Sequence, residues 1–265
     1  WHFQTVPHDV WDYDAAYECI LVDLPVNGQP RKLLIHPSKS GYTFVLDRTN
    51  GAFVAGWRYV DTLTWSSGLD SKGVPIGRKE PVLNTPTIIC PNYYGGRSFN
   101  QASYSPKTGL LYNIGIEWCG EYIARNQEPA QGRSWMGGSI KLVPPPSGKV
   151  VTHLDAFEPL TGKRIWRHEE KYPLLAALVS TAGDLVFTGD VEGNFFALNA
   201  KTGERLWTFA TGSGNRGGPT TYAVNGKQYI AVMTGDSQLG PTIASQVPSL
   251  KYVRGHNAMY VFALP

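Results

Sequence analysis

An all-β fold of short antiparallel sheets is what this sequence predicts, and three observations carry the prediction. The 265 residues include 29 Gly and 19 Pro, set between short β-branched and aromatic runs, which is the make-up of a chain with many strands and tight turns. Sustained i, i+3, i+4 apolar spacing is hard to find, whereas Tyr42-Thr43-Phe44-Val45-Leu46 and Gln228-Tyr229-Ile230-Ala231-Val232 alternate as strands do. Helix is expected to be a minor component. The third observation is an internal repeat of eleven residues, which sets the organisation of the whole chain.

Two copies match closely. Residues 156–166 and 197–207 share Ala, an acidic or amide residue, Thr-Gly and Trp at the same offsets: Ala156, Glu158, Thr161-Gly162 and Trp166 in one, Ala197, Asn199, Thr202-Gly203 and Trp207 in the other. A third, Ala102 to Tyr112, reads as keeping this frame with Tyr112 at the Trp position, and a fourth, Val45 to Ala55, is degenerate at both ends. Each unit reads as one hairpin: a strand end, a tight turn in which Gly supplies positive φ, and a second strand that presents a large aromatic. Tyr260 to Pro265 is similar to the first strand of such a unit, and Trp1 stands where another copy would end.

If each repeat contributes a small antiparallel sheet, its Trp packs flat between neighbouring sheets and covers a face that a lone sheet leaves wet. That is the logic of a β-propeller. The spacings suit about four to five four-stranded antiparallel blades with tryptophan-docking motifs, in a single partial propeller domain over 1–265. A complete propeller of four or five blades is the alternative. The chain opens on Trp-His-Phe-Gln, with neither Met nor a signal peptide, and reads as a piece of something longer.

Composition excludes several classes of function. Lys and Arg number 24 against 21 Asp and Glu, with 17% charged residues overall, so nothing marks a nucleic-acid surface. No long uninterrupted apolar stretch exists to span a membrane, and 12% aromatic residues argue against disorder.

With the repeat and the opening string Trp1 to Asp14 in view, the chain resembles the quinoprotein alcohol dehydrogenases, which use pyrroloquinoline quinone and fold as eight-bladed propellers. The repeat is similar to their tryptophan-docking motif, and Pro7-His8-Asp9-Val10-Trp11-Asp12-Tyr13-Asp14 is similar to their active-site segment. The likeness runs to Pro265 and covers the C-terminal part of the family's propeller domain. It implies that an N-terminal portion, or another copy, closes the ring and supplies the rest of the pocket. No Cys-x-x-Cys-His haem segment is found, so electrons would leave to an external acceptor such as a cytochrome c.

Oxidation of an alcohol to an aldehyde or ketone by a quinone needs a base for the hydroxyl proton and an electrophile to polarise the quinone carbonyl. By the resemblance, Asp12 is the base and a metal ligand, and Lys39 and Asn100 contact the quinone. Leu175 lies on the segment that approaches it. Here the chain departs from the family: Leu174-Leu175-Ala176-Ala177 stands where the family has Trp-Gly-Gly. Asp14, two residues past the base, would place a second carboxylate on the same side of an extended segment. Calcium accepts such ligands, but the extra carboxylate favours a lanthanide ion. The insertions 61–81 and 120–148 are expected to be surface loops.

The family has a disulfide placed like Cys90 and Cys119, which leaves Cys19 over. The resemblance thus implies an oxidising, periplasmic location; three reduced cysteines in a cytosolic scaffold is the alternative. Two functions stand side by side. One is part of a dehydrogenase for a primary alcohol or related hydroxyl substrate, and the other is a non-catalytic propeller fragment that binds a protein or assembles with itself.

Overall fold

A computed structural model of the chain describes residues 1–147, 152–235, 247, 249–251 and 255–263. Its described residues contain strands and no α-helix, and no helix is long and apolar enough to cross a membrane. The chain divides into two compact units. The first holds 1–16, 21–96 and 116–150, and the second 17–20, 97–115 and 151–265.

The first unit contains a four-stranded sheet in simple order, β1 (Ile20–Val26), β2 (Gln29–Pro37), β3 (Tyr42–Asp47) and β4 (Phe53–Arg58). A short hairpin, β5 (Gly68–Leu69) with β6 (Pro75–Ile76), follows. Its second sheet has three strands: β7 (Pro86–Ile89), β10 (Cys119–Ala124) and β11 (Gly138–Val143), with β10 in the middle. Trp11, Tyr13, Tyr42, Phe44, Trp65, Ile89 and Tyr122 form one buried cluster.

The 120–148 segment is therefore not a surface loop, because it supplies two paired strands. Glu121-Tyr122-Ile123 lies opposite Ser139-Ile140-Lys141 in antiparallel register, and the alternation of polar and apolar residues from Ser139 to Leu142 suits a sheet with one covered face. Residue 148 lies outside the described residues. Within 61–81, β5 and β6 pair, and Trp65 is fully buried with its Nε1 donating to Ser40 O at 2.8 Å. Cys90 and Cys119, at the end of β7 and the start of β10, are joined by the disulfide, with Cα atoms 4.3 Å apart. Cys19 takes no part in that disulfide and is exposed.

The second unit holds three sheets. One is β8 (Ser103–Ser105), β9 (Leu110–Ile116), β12 (Thr152–Phe157) and β13 (Arg164–Glu170), and the next is β14 (Val179–Ser180), β15 (Leu185–Gly189), β16 (Asn194–Asn199) and β17 (Arg205–Ala210). The last has three described strands, β18 (Thr220–Val224), β19 (Lys227–Thr234) and β20 (Ala258–Ala263). Leu264 and Pro265, at the end of the last repeat, lie outside the described residues.

Sheet pairing corrects the reading of the repeat. Copies 45–55, 156–166 and 197–207 each form the last hairpin of a four-stranded sheet, and each shifts register between its first two residues, at Val45/Leu46, Ala156/Phe157 and Ala197/Leu198. This bulge re-aims the second strand and its aromatic. Copy 102–112 is the first hairpin of the sheet that copy 156–166 completes, and its pairing is regular. Its Thr108-Gly109 stands one residue closer to the aromatic than Thr161-Gly162 does, so the frame does not hold there. The five frames and the five main sheets thus do not correspond one to one, since the β7-β10-β11 sheet carries none.

The docking itself is visible in both units. Trp166 lies over Gly203, where a Cβ would come within 2.5 Å of its ring, and donates from Nε1 to Ala200 O at 3.0 Å. Trp1 covers Gly51 in the same way and donates to Arg48 O at 3.2 Å. The acceptor precedes the covered Gly by three residues in both cases. Gly51 and Gly203 have φ of 77° and 74°, so Gly is required there both by the turn and by the ring above it.

Candidate functional site

Segment 9–14 alternates. Trp11 and Tyr13 are buried while Asp12 and Asp14 are exposed, because the two aromatics are drawn into the core of the first unit. Trp11 packs edge-on against Tyr122, with ring centres 5.1 Å apart, and donates from Nε1 to Lys79 O at 3.1 Å. The Tyr13 hydroxyl donates to Pro91 O. Burial, first, and the nearby Tyr122 hydroxyl push the Tyr13 phenol well up, so it remains a neutral donor.

Lys39 comes from the turn between β2 and β3. The Ser38 amide donates to Tyr42 O at 2.8 Å, the Tyr59 hydroxyl to Ser38 O at 2.6 Å, and the Gly96 amide to Lys39 O at 2.9 Å. Gly41, at φ 94°, closes the turn beneath Val60 and Leu63, with room for no side chain. The Lys39 backbone is thereby fixed and its side chain only 10% exposed. Its Nζ lies 3.0 Å from Asp12 Oδ2 and 2.7 Å from Asp14 Oδ1. The structure thus brings Asp12, Asp14 and Lys39 together, with a cation between two like charges that would otherwise repel.

Asp12 takes φ of 68°, a left-handed conformation rare for a side-chain-bearing residue and found where the surroundings over-determine it. A cavity of about 650 Å³ opens beside it in the first unit, with Asp9, Trp11, Tyr93, Tyr122 and Trp135 also on its walls. Burial, then the Asp12 charge, raises the Tyr122 hydroxyl, while burial and the Tyr94 hydroxyl raise that of Tyr93. Both remain neutral, and Asp9 and Asp12 are the two carboxyl groups of this lining.

Asn100 and Leu175 belong to the second unit. Asn100 is buried, and its Nδ2 donates to Ala176 O at 3.3 Å, so the structure joins Asn100 to the 174–177 segment. Its Oδ1 is buried with no hydrogen-bond partner among the described residues, an acceptor that a polar ligand would satisfy. Leu175 is buried next to Leu174, which bridges to Asp190. Sequence reasoning missed Asp9, Tyr93, Tyr122 and Trp135. The spacing Asp9-Val10-Trp11, an acid two residues before an amide it can cap, is the one signal that could have pointed to Asp9.

Comparison with known proteins adds three findings. The family model for the glucose/ethanol/alcohol dehydrogenase β-propeller domain that uses pyrroloquinoline quinone matches residues 1–59 and 158–230. Quinoprotein alcohol dehydrogenase PedH of Pseudomonas putida is 34% identical across 100% of this chain, and a quinoprotein ethanol dehydrogenase of the same species is 35% identical. The chain spans 46% and 44% of their lengths, a little under half. Among solved structures, a europium-containing methanol dehydrogenase superposes over 99% of this chain with a TM-score of 0.92 and 30% identity, and the chain covers 50% of it. A quinohemoprotein alcohol dehydrogenase from Comamonas testosteroni superposes with a TM-score of 0.83 at 30% identity, over 99% of this chain and 40% of that one.

Proposed function

From the premise that this chain belongs to the quinoprotein alcohol dehydrogenase family and forms part of its β-propeller, we propose that it carries the base and the metal-binding carboxylates of an enzyme oxidising a primary alcohol or related hydroxyl substrate. The observation that supports this most directly is the meeting of Lys39 with Asp12 and Asp14. Pyrroloquinoline quinone, when bound, supplies the two-electron acceptor for the hydride equivalent. The residues present fit it: Lys39 offers a fixed cation, and Asn100 a buried Oδ1 in need of a partner. Lys39 of the first unit is therefore proposed as one quinone contact, and Asn100 with the backbone around Leu175 in the second unit as others.

Asp12 accepts the hydroxyl proton of an alcohol seated in the cavity, whose aromatic walls take the carbon chain and exclude water. Lys39 Nζ, bonded to Asp12 Oδ2, fixes the direction of the carboxylate. Asp12 and Asp14 would also hold the metal ion, since exposed carboxylates are hard oxygen donors. Two of them, carrying two negative charges, favour a trivalent lanthanide over Ca2+. The electrons go to a separate acceptor such as a cytochrome c, as the name of the relative 1-butanol dehydrogenase (cytochrome c) of Thauera butanivorans indicates for that protein. The Cys90–Cys119 disulfide agrees with a periplasmic location.

The test is dye reduction with ethanol by the full-length protein, supplied with quinone and either Ca2+ or La3+. Turnover is expected to need both quinone and ion and to be higher with La3+. Asp12→Ala should lose on the order of 10²–10⁴ in kcat, and Asp14→Ala should remove the preference for La3+. Equal activity with either ion, unchanged in Asp14→Ala, would overturn the metal assignment. Absence of any quinone-dependent turnover would overturn the enzymatic reading and leave the binding scaffold.

A further inference from the structure

Asp9 sits three residues before the base, and its two carboxylate oxygens do separate jobs. Oδ1 accepts the Trp11 amide at 2.9 Å, and Oδ2 accepts the Tyr13 amide. These are the amides on either side of Asp12. We propose that Asp9 is a positioning residue of this site, whose carboxylate holds residues 11–13 so that Asp12 keeps the left-handed conformation from which it meets Lys39 and faces the cavity. The proposal rests on the assignment of Asp12 as base and metal ligand.

Three features of the structure support it. The segment is bent at two side-chain-bearing residues, His8 at φ 48° and Asp12 at φ 68°, and each such residue relaxes to an ordinary conformation unless something holds it. The other braces act elsewhere. Arg78 donates to Pro7 O and, at 2.7 Å, to His8 O, which fixes the carbonyls before Asp9. The Trp11 indole and the Tyr13 hydroxyl are held at their far ends by Lys79 O and Pro91 O, which fixes the rings. The backbone amides around Asp12 are left to Asp9. Last, an ionised carboxylate accepts on both oxygens, whereas an Asn accepts on one and donates on the other, so the two-amide clamp is specific to Asp. This arrangement also carries a cost, as desolvation pushes the Asp9 carboxyl above the ordinary carboxylate range against the pull of the two amides.

The test uses the full-length protein with Asp9→Ala, Asp9→Asn and Asp12→Ala, and reads three quantities: amide hydrogen exchange at Trp11 and Tyr13, affinity for Tb3+ by tryptophan-sensitised luminescence, and kcat against KM with quinone and ethanol. Asp9→Ala is expected to speed exchange at both amides, to weaken Tb3+ about tenfold and to lower kcat by about tenfold to a hundredfold, with KM within a factor of about two. Asp9→Asn, which retains one acceptor, should fall between Asp9→Ala and the parent in all three, and it keeps the test valid should the Ala variant fail to fold. Normal Tb3+ affinity and kcat in both Asp9 variants, in a protein that still loses both with Asp12→Ala, would overturn the role of Asp9 alone. Tb3+ affinity and turnover indifferent to Asp12→Ala would overturn the base assignment and the role of Asp9 with it.

Discussion

At the scale of single residues, the second unit shows how charge is kept inside a sheet. Asp155 on β12 is fully buried and receives Arg167 Nε at 2.8 Å and Nη2 at 2.7 Å, with His153 Nδ1 at 3.1 Å. Burial drives its carboxyl up, but the Arg167 and His153 contacts outweigh it and hold its pKa below the ordinary carboxylate range. A carboxyl depressed on folding contributes stability that is complete above its unfolded pKa and is lost as pH falls toward its folded one. The protein is therefore expected to lose stability progressively below about pH 4. Asp155→Asn should be less stable at pH 7 by about 1–3 kcal/mol, since it removes the charged acceptor that the partly exposed Arg167 faces, and its stability should vary less with acid. Urea unfolding at a series of pH values measures both effects. A variant as stable as its parent at pH 7 would refute the ion pair's importance.

At the scale of elements, the bulged hairpin is the recurrent device. The position occupied by Asp47, Glu158 and Asn199 caps its own turn in the three bulged copies, accepting from Thr49 N, Thr161 N and Lys201 N respectively. The bulge, the Gly and the ring laid over it make one joint. Gly203→Ala would force both a positive φ and a collision with Trp166, and is expected to destabilise by about 2–4 kcal/mol. Gly109 has φ of 71°, but nothing lies within 4 Å of where its Cβ would be, so Gly109→Ala should cost only about 1–2 kcal/mol. Thermal and urea unfolding of the two variants side by side measure the difference. Equal losses would mean that the stacked indole adds nothing to the turn.

At the scale of the whole molecule, apolar surface remains uncovered. Leu206, Trp207 and Phe209 of β17 are exposed, beside an apolar cavity of about 430 Å³ walled by Phe187, Phe195, Trp207 and Phe262. Exposed aromatics at a sheet edge invite association. The 265-residue chain on its own is expected to sediment as an oligomer at micromolar concentration and to hold no quinone. A monomer that binds quinone with micromolar affinity or better would contradict this. Much of the architecture was legible because Thr-Gly followed by Trp at a set distance is a local signal, written in residues that touch one another. The β7-β10-β11 sheet was not legible, since its strands are short, separated by long connections and lack that signal. At the site, Asp12, Asp14 and Lys39 could be named from a contiguous string and a turn. The cavity aromatics Tyr93, Tyr122 and Trp135 could not, because strand pairing across tens of residues decides which side chains line it. The clamp by Asp9 depends on two positive φ angles that composition does not reveal.

The joint of Trp166 over Gly203 also equips the molecule with an optical gauge. An indole laid against a turn and bonded at Nε1 to a fixed carbonyl has an emission that shifts as soon as the turn loosens. Trp166 is buried in the second unit, so the difference in emission between the parent and Trp166→Phe would report when that joint opens in denaturant.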